Sequence, residues 1–489
     1  MAAVPSMQAE NSLNHTERLA TFAVEQSFSD IPASDQQAGA RLVKDTLACA
    51  IAGRTIPSSR IIEKVIARRG GNPEATVLGA GGLKLPVTAA AHINGHLSNA
   101  IDADDTIHYK AHVAAGVVGP ALSVAEWRGS SGEEYLAACM IGYEVASRVA
   151  MSMRSLTVGE DGQIVFGKVS GYSAVVFGAV SATGRLIGLD ARQMRHAFGI
   201  ALASAPLPAS SQFGLELPRP MTKYALYGAI AEAGVQAALL AAEGFTSETS
   251  VLDGERGFWR VAGSVDFNES ILGDRLGSRW LADEVTYKPY PGCRFLNSSI
   301  DMLLALMEQH GFSPDDVTAV TSRVHGGALA KHMGSSDVET TVDGMFSLPY
   351  LLGVASYRGA PGPNWHTEEA RRDERVRRFA EKVTVELEPR SGPAAKEDLD
   401  AHGYNVRMPA SIEVVVDDKV YTDYREFAHG DPYHEATRFT DDDVNKKFRD
   451  FTADLLLPGA ADSALRILDD LVGCRDVTGL VNSLTGLGR

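Results

Sequence analysis

Through the first half of the chain, apolar positions recur at helical spacing. Leu42, Val43, Leu47, Ala50 and Ile51 line one helix face behind Ser34 and Gln37, which have capping-box spacing, and Gly53 with Pro57 stops the run. Ser131 with Glu134 opens a helix through Leu136, Met140, Tyr143 and Val149, and Asp190 with Gln193 opens another. Lys223 heads a long Ala-rich helix that ends at Gly244. The period then changes. Val317–Val324, 382–387 and 411–416 are β-branched runs, and 414–422 reads as a hairpin around Asp417-Asp418. Helices are expected from Ile300 to Gly311 and over 346–355. The pattern is helical again from Thr440, with Val444, Phe448, Phe451, Leu455 and later Leu465 and Leu468.

A helical block, a mixed block and a helical tail that packs back on the first block predict α+β organisation, not βαβ alternation. Pro361-Gly362-Pro363 and Arg390-Ser-Gly-Pro393 read as surface turns, and 369–378 as one solvated, charged helix face.

Composition narrows the function. With 489 residues and 45% hydrophobic content, the chain can bury a large core. The formal net charge of −16 argues against nucleic acid and anionic membranes as partners. It leaves room for a small anionic substrate, because surface charge is screened within about 8 Å at physiological salt. Cys49, Cys139, Cys293 and Cys474 form no CxxC pair and read as reduced core thiols. The first 16 residues are polar, with no secretory core, so a cytoplasmic protein is expected and the N-x-S/T matches at Asn14, Asn268 and Asn297 carry no weight.

The segment 94–112 concentrates the chemistry. It places Asp102, Asp104, Asp105, Thr106, His108 and His112 between small apolar runs. Such groups are costly to desolvate and collect where chemistry is done. Asp104, Asp105, His108 and His112 could ligate a metal, with the two histidines spaced i, i+4 as on one helix face. The H-Y-K-A-H pattern lacks the carboxylate of zinc hydrolases, so a metal-free acid/base site is preferred. Gly79-Ala-Gly-Gly82 reads as a turn and not a phosphate loop. In Lys288-Pro-Tyr-Pro-Gly-Cys-Arg294 the prolines hold the chain rigid where the helical block gives way, so Lys288 and Arg294 are candidates to face a cleft.

These segments together resemble the MmgE/PrpD family. The blocks are Asn94-Gly…Asp102-Ala-Asp-Asp-Thr106…His112, Ser131-Gly…Gly142-Tyr-Glu-Val145…Arg148 and Gly178-Ala…Gly184-Arg-Leu-Ile-Gly-Leu-Asp190. Lys223…Gly228…Gly234-Val, Lys288-Pro-Tyr-Pro291, Phe346-Ser-Leu-Pro-Tyr350 and Gly430-Asp-Pro432 follow in order. The resemblance implies a mainly α protein with a smaller α+β domain: a large all-helical domain (1–284 and 433–489) and an α+β lid (285–432). It also implies a homodimer with no cofactor and no metal. By position the family's site falls on Asp102, Thr106, His112, Lys223, Lys288 and Tyr350. Three positions where family members carry histidine are here Val169, Asn297 and Asn99.

The implied chemistry is formation of carbanion-like charge beside a carboxylate of a small di- or tricarboxylate. Lys223, Lys288 and Arg294 supply positive charge, which acts strongly in a water-poor site. His112 can exchange protons near neutral pH, with Asp102 orienting it or acting as base. Thr106 and Tyr350 can donate to substrate oxygens. The expected activity is a metal-independent lyase, first a dehydratase of a 2-methylcitrate-like hydroxy acid. The alternatives are an epimerase, a cis-aconitate-like decarboxylase, or an inactive scaffold suggested by the lost imidazoles.

Overall fold

The larger body is built chiefly on the helices Ala33–Gly53, Val87–Ala100, Val118–Arg128, Gly132–Ser152, Val175–Ile187, Ala191–Ser204 and Thr222–Ala242, with His15–Glu25 and Pro57–Ile66 packed against them. The computed structural model describes residues 14–154, 156–159, 163–166, 171–206, 216–264 and 266–486. Thr222–Ala242 lies centrally, against Val87–Ala100, Val175–Ile187 and Ala191–Ser204. It is long and apolar enough to span a bilayer by composition alone. Neighbouring helices surround it, which is why it lacks a polar face. Small residues set these spacings. A Cβ on Gly142 would lie 2.7 Å from the Gly178 carbonyl, and one on Gly178 would lie 2.6 Å from the Gly142 carbonyl, so the two helices meet backbone to backbone.

The smaller unit carries a four-stranded sheet in the order Lys419–Arg425, Ala410–Val416, Val317–Val324, Val383–Leu387, with only the last pair parallel. Ala410–Val416 alternates buried and half-buried residues, the pattern of a strand with one covered face. Asn297–His310 covers that face, and Leu348–Arg358 packs beside it. Asp417 and Asp418 take φ of 46° and 62°, as a two-residue hairpin turn requires. The protein is therefore mainly α with a smaller α+β part.

Several local expectations hold and others do not. The capping boxes at Ser131/Glu134 and Asp190/Gln193 form. That at Ser34/Gln37 does not: with Pro32 as N-cap the helix starts two residues early, and Gln37 instead donates to Asp441 of the tail at 2.6 Å. The helix expected over 346–355 is two, Thr341–Phe346 and Leu348–Arg358, split at Ser347, whose hydroxyl caps the second. The charged run 369–378 is likewise broken at Asp373, which caps Glu374–Ala380. Arg390–Pro393 is the first turn of Ser391–His402 and not a surface turn, since proline is tolerated there.

The tail helix Asp441–Thr452 packs on Ala33–Gly53, burying Val444, Phe448 and Phe451. From it Lys447 donates to Asp45 and to the carbonyl of Ala103, both at 2.6 Å. Both side chains are buried. One cation thus joins the tail, the first long helix and the acidic loop. Lys447→Met leaves the Asp45 carboxylate buried and unpaired, with an expected loss of about 3–5 kcal/mol in urea unfolding. The Asp45→Asn, Lys447→Met double variant should recover most of it. A loss below about 1 kcal/mol for the single variant would contradict this role.

Candidate active site

The acidic loop begins where Val87–Ala100 ends. Asp102 takes φ of 55°, a left-handed conformation that aspartate tolerates, and its N–H donates to the Asn99 carbonyl at 3.0 Å. The loop is then pinned from three sides. Lys447 holds Ala103, the Gly292 N–H donates to the Asp102 carbonyl at 3.0 Å, and Thr106 pairs with Thr286 in a short antiparallel ladder. That ladder delivers Lys288, two residues past Thr286. The segment is held at its other side by Gly430, whose φ of 100° lets its carbonyl accept the Tyr287 N–H at 3.0 Å.

Asp102 is the centre. Its Oδ1 accepts from Lys288 Nζ at 2.8 Å and Lys223 Nζ at 3.2 Å, and its Oδ2 accepts from the Tyr224 hydroxyl at 3.0 Å. His112 Nε2 stands 3.9 Å from Oδ1. Lys288 is fully buried, and Lys223 and His112 are 8% and 6% exposed. Residues 121 and 186 positions apart therefore converge away from bulk water.

The charges interlock. Burial works to raise the Asp102 carboxyl, but Lys223, Lys288 and His112 outweigh it and hold it well below the usual range. One carboxylate cannot fully serve two ammoniums. Burial, aided by Lys288, accordingly lowers Lys223 despite Asp102. Burial and then the two lysines push His112 well below its ordinary value, so its resting imidazole is neutral. Asp104 behaves differently. Burial, with the Asp102 charge behind it, raises Asp104 to about 6 against the pull of Lys288. Asp104 faces His112 Nδ1 at 3.5 Å, and both its oxygens accept from Asn99 Nδ2 at 3.0 Å.

The other candidates divide. Thr106 Oγ1 is buried without a hydrogen-bond partner among the described residues, a donor left available. Arg294 is not available: it forms a buried ion pair with Asp431 at 2.5 Å. Tyr350 is also committed, its hydroxyl donating to the Trp365 carbonyl. Asp105 caps the Val113 and Ala114 N–H groups at 3.1 and 2.9 Å. The i, i+4 metal reading fails because 107–111 is a tight loop closed by the Ile107 N–H on the Ala111 carbonyl, not a helix. His108 turns away to Glu284 and Tyr433 at 2.8 and 2.6 Å. Asp102, Asp104 and His112 do hold three ligand atoms within 4.8 Å of one another. A divalent cation there would sit beside two ammoniums, so the set suits a metal poorly.

Of the positions lacking histidine, Asn99 supports Asp104, and Asn297 is buried with both amide atoms unpartnered among the described residues. Val169 lies outside the described residues. Cys293 is buried near this cluster, and burial raises its thiol to about 11, which leaves no thiolate nucleophile.

Three contributors escaped the sequence reading. Tyr224, next to Lys223, carried no signal beyond adjacency. His366 donates its Nε2–H to the Pro291 carbonyl at 2.6 Å, and burial lowers it to about 4. Arg219 lies four residues before Lys223 and is bracketed by Pro218 and Pro220, the same rigid setting that marked Lys288.

The MmgE/PrpD N-terminal domain model matches residues 17–269 and the C-terminal domain model matches 290–471. A human cis-aconitate decarboxylase is 24% identical over 92% of this chain and 90% of its own length. One from Aspergillus terreus is 27% identical over 69% and 71%. A cis-aconitate decarboxylase-like protein from Aspergillus oryzae is 29% identical over 49% of each. With both domain models matched in order, the chain belongs to the MmgE/PrpD family.

Proposed function

We propose that this protein is a carboxy-lyase that decarboxylates a cis-aconitate-like tricarboxylate. One observation carries the proposal: a buried carboxylate that holds two ammoniums beside a single imidazole within 4 Å. The decarboxylase relatives support the choice of reaction. They weigh against the first expectation, dehydration of a 2-methylcitrate-like acid. A dehydratase needs a base for one proton and an acid for a leaving hydroxyl, and an epimerase needs groups on both faces. A decarboxylase needs one proton donor after the carbon–carbon bond breaks.

In an alkene tricarboxylate, the bond to the carboxylate on the saturated carbon breaks and CO2 departs. Its electron pair moves through the double bond to the carbon next to the far carboxylate. The resulting electron-rich aci-carboxylate takes one proton at that carbon, giving a methylene dicarboxylate. Lys223 and Lys288 stabilise the charge as it forms, already oriented by Asp102 and requiring little reorganisation. Thr106 can donate to a carboxylate oxygen. His112 delivers the proton. Its resting form is neutral because burial, and then the two facing ammoniums, disfavour its charge. A substrate trianion offsets them and favours its protonation, with Asp104 as the adjacent proton store.

The activity is tested by CO2 release and product analysis with a panel of unsaturated tricarboxylates and hydroxy tricarboxylates. Decarboxylation of the unsaturated acid, unchanged after EDTA dialysis, is expected. Water loss from a hydroxy acid without CO2 release would overturn it. Because Asp104 is held up at about 6, the His112–Asp104 pair keeps its proton below that pH and loses it above. Turnover at saturating substrate should therefore fall as pH rises from 6 to 8, and Asp104→Asn should flatten that limb. A wild-type profile flat over this range would remove Asp104 from the proton path.

A further inference from the structure

We propose that Arg219 is the specificity-determining residue that recognises a third carboxylate and so makes the site select tricarboxylates over dicarboxylates. The inference rests on the reading of the substrate as a polycarboxylate.

Three arginines are buried among the described residues: Arg148, Arg219 and Arg294. Arg148 binds Glu144 at 2.7 Å and the carbonyls of Ile271, Asp274 and Arg279, and Arg294 pairs with Asp431. Arg219 is equally buried, at 5% exposed, and its Nε and Nη1 have no hydrogen-bond partner among the described residues. Arg294 also has an idle Nε, but Asp431 stands beside it, whereas Arg219 has no ion-pair partner among the described residues. A buried guanidinium with idle donors is costly unless something completes it. A carboxylate matches its planar fork better than any neutral group.

The position is fixed. The Arg219 N–H donates to Asp343 Oδ1 at 2.7 Å, while Asp343 Oδ2 takes the Thr340 hydroxyl at 2.8 Å. Asp343 is thus spent on the backbone and on a helix cap. The guanidinium carbon stands 4.2 Å from the centre of the Phe346 ring, and Lys223 Nζ stands 5.5 Å from the same ring. That shared aromatic surface joins Arg219 to the Asp102 cluster, whose charge it feels.

The charge count points the same way. Arg219, Lys223 and Lys288 bring three cationic side chains to a cluster with two carboxyls, Asp102, held well below its usual range, and Asp104, raised to about 6. The surplus is positive, and a polyanion neutralises it. Two ammoniums grouped on one carboxylate suit the reacting end. The guanidinium, set apart on Phe346, suits a carboxylate that stays on the product.

The test is calorimetric binding of two unreactive acids, propane-1,2,3-tricarboxylate and pentanedioate, which differ only by the central carboxylate. Wild type should prefer the tricarboxylate by at least about tenfold. Arg219→Gln should weaken that ligand by about 10–100-fold and leave the dicarboxylate unchanged, the value of a charge-assisted pair. Arg219→Lys, which keeps the charge without the fork, should fall between and guards against misfolding of the first variant. Equal losses for both acids, or none, would overturn the assignment. CO2 release by wild type, measured alongside, separates the two ideas. Release with an unaltered Arg219→Gln binding profile sinks only the arginine's role. Lack of release from every tricarboxylate, with the binding preference intact and Arg219-dependent, sinks only the decarboxylase reading.

Discussion

A single buried carboxylate shared by two ammoniums is the constraint on which this site depends. Asp102 holds Lys288 and Lys223 on one oxygen and Tyr224 on the other. Burial disfavours the charged form of a lysine and lowers Lys223. One carboxylate serves two lysines, so their combined charge stays incompletely neutralised. That residual charge is what an anionic intermediate would find. Burial, joined by that field, also keeps the His112 imidazole neutral.

Much of the surrounding fold keeps that carboxylate in place. The Asp102–Asp105 loop is irregular backbone in a buried setting, so each of its polar groups needs a partner. Asp105 spends both oxygens on backbone N–H groups, Lys447 crosses from the tail to Ala103, and Gly292 ties the lysine-bearing strap to Asp102 itself. The tail is therefore part of the site's scaffold, although none of its described side chains joins the Asp102 cluster.

Periodicity made most of the architecture legible, because helix faces and the hairpin at Asp417-Asp418 are written in local pattern. Asp102, His112, Lys223 and Lys288 were legible as candidates through local density, proline bracketing and family resemblance. Their convergence was not, since it depends on contacts between residues more than a hundred positions apart. Arg294 misled for the same reason: its fate was decided by Asp431, which no local pattern links to it. The i, i+4 pair His108/His112 misled because spacing implies a shared face only inside a helix, and φ of 44° at His108 excludes one. Helix boundaries failed where one residue, such as Pro32 or Ser347, reset the cap.

The most direct measurement is the affinity of a nitro analogue of the substrate, in which one carboxylate is replaced and the ionised nitronate is planar and electron-rich like the aci-carboxylate. Wild type should bind the nitronate about a hundredfold or more above the parent carboxylate, and Lys223→Met or Lys288→Met, each still folded by circular dichroism, should lose most of that preference. Equal affinity for the two ligands in wild type, or an undiminished preference in the folded lysine variants, would contradict the role assigned to the paired ammoniums.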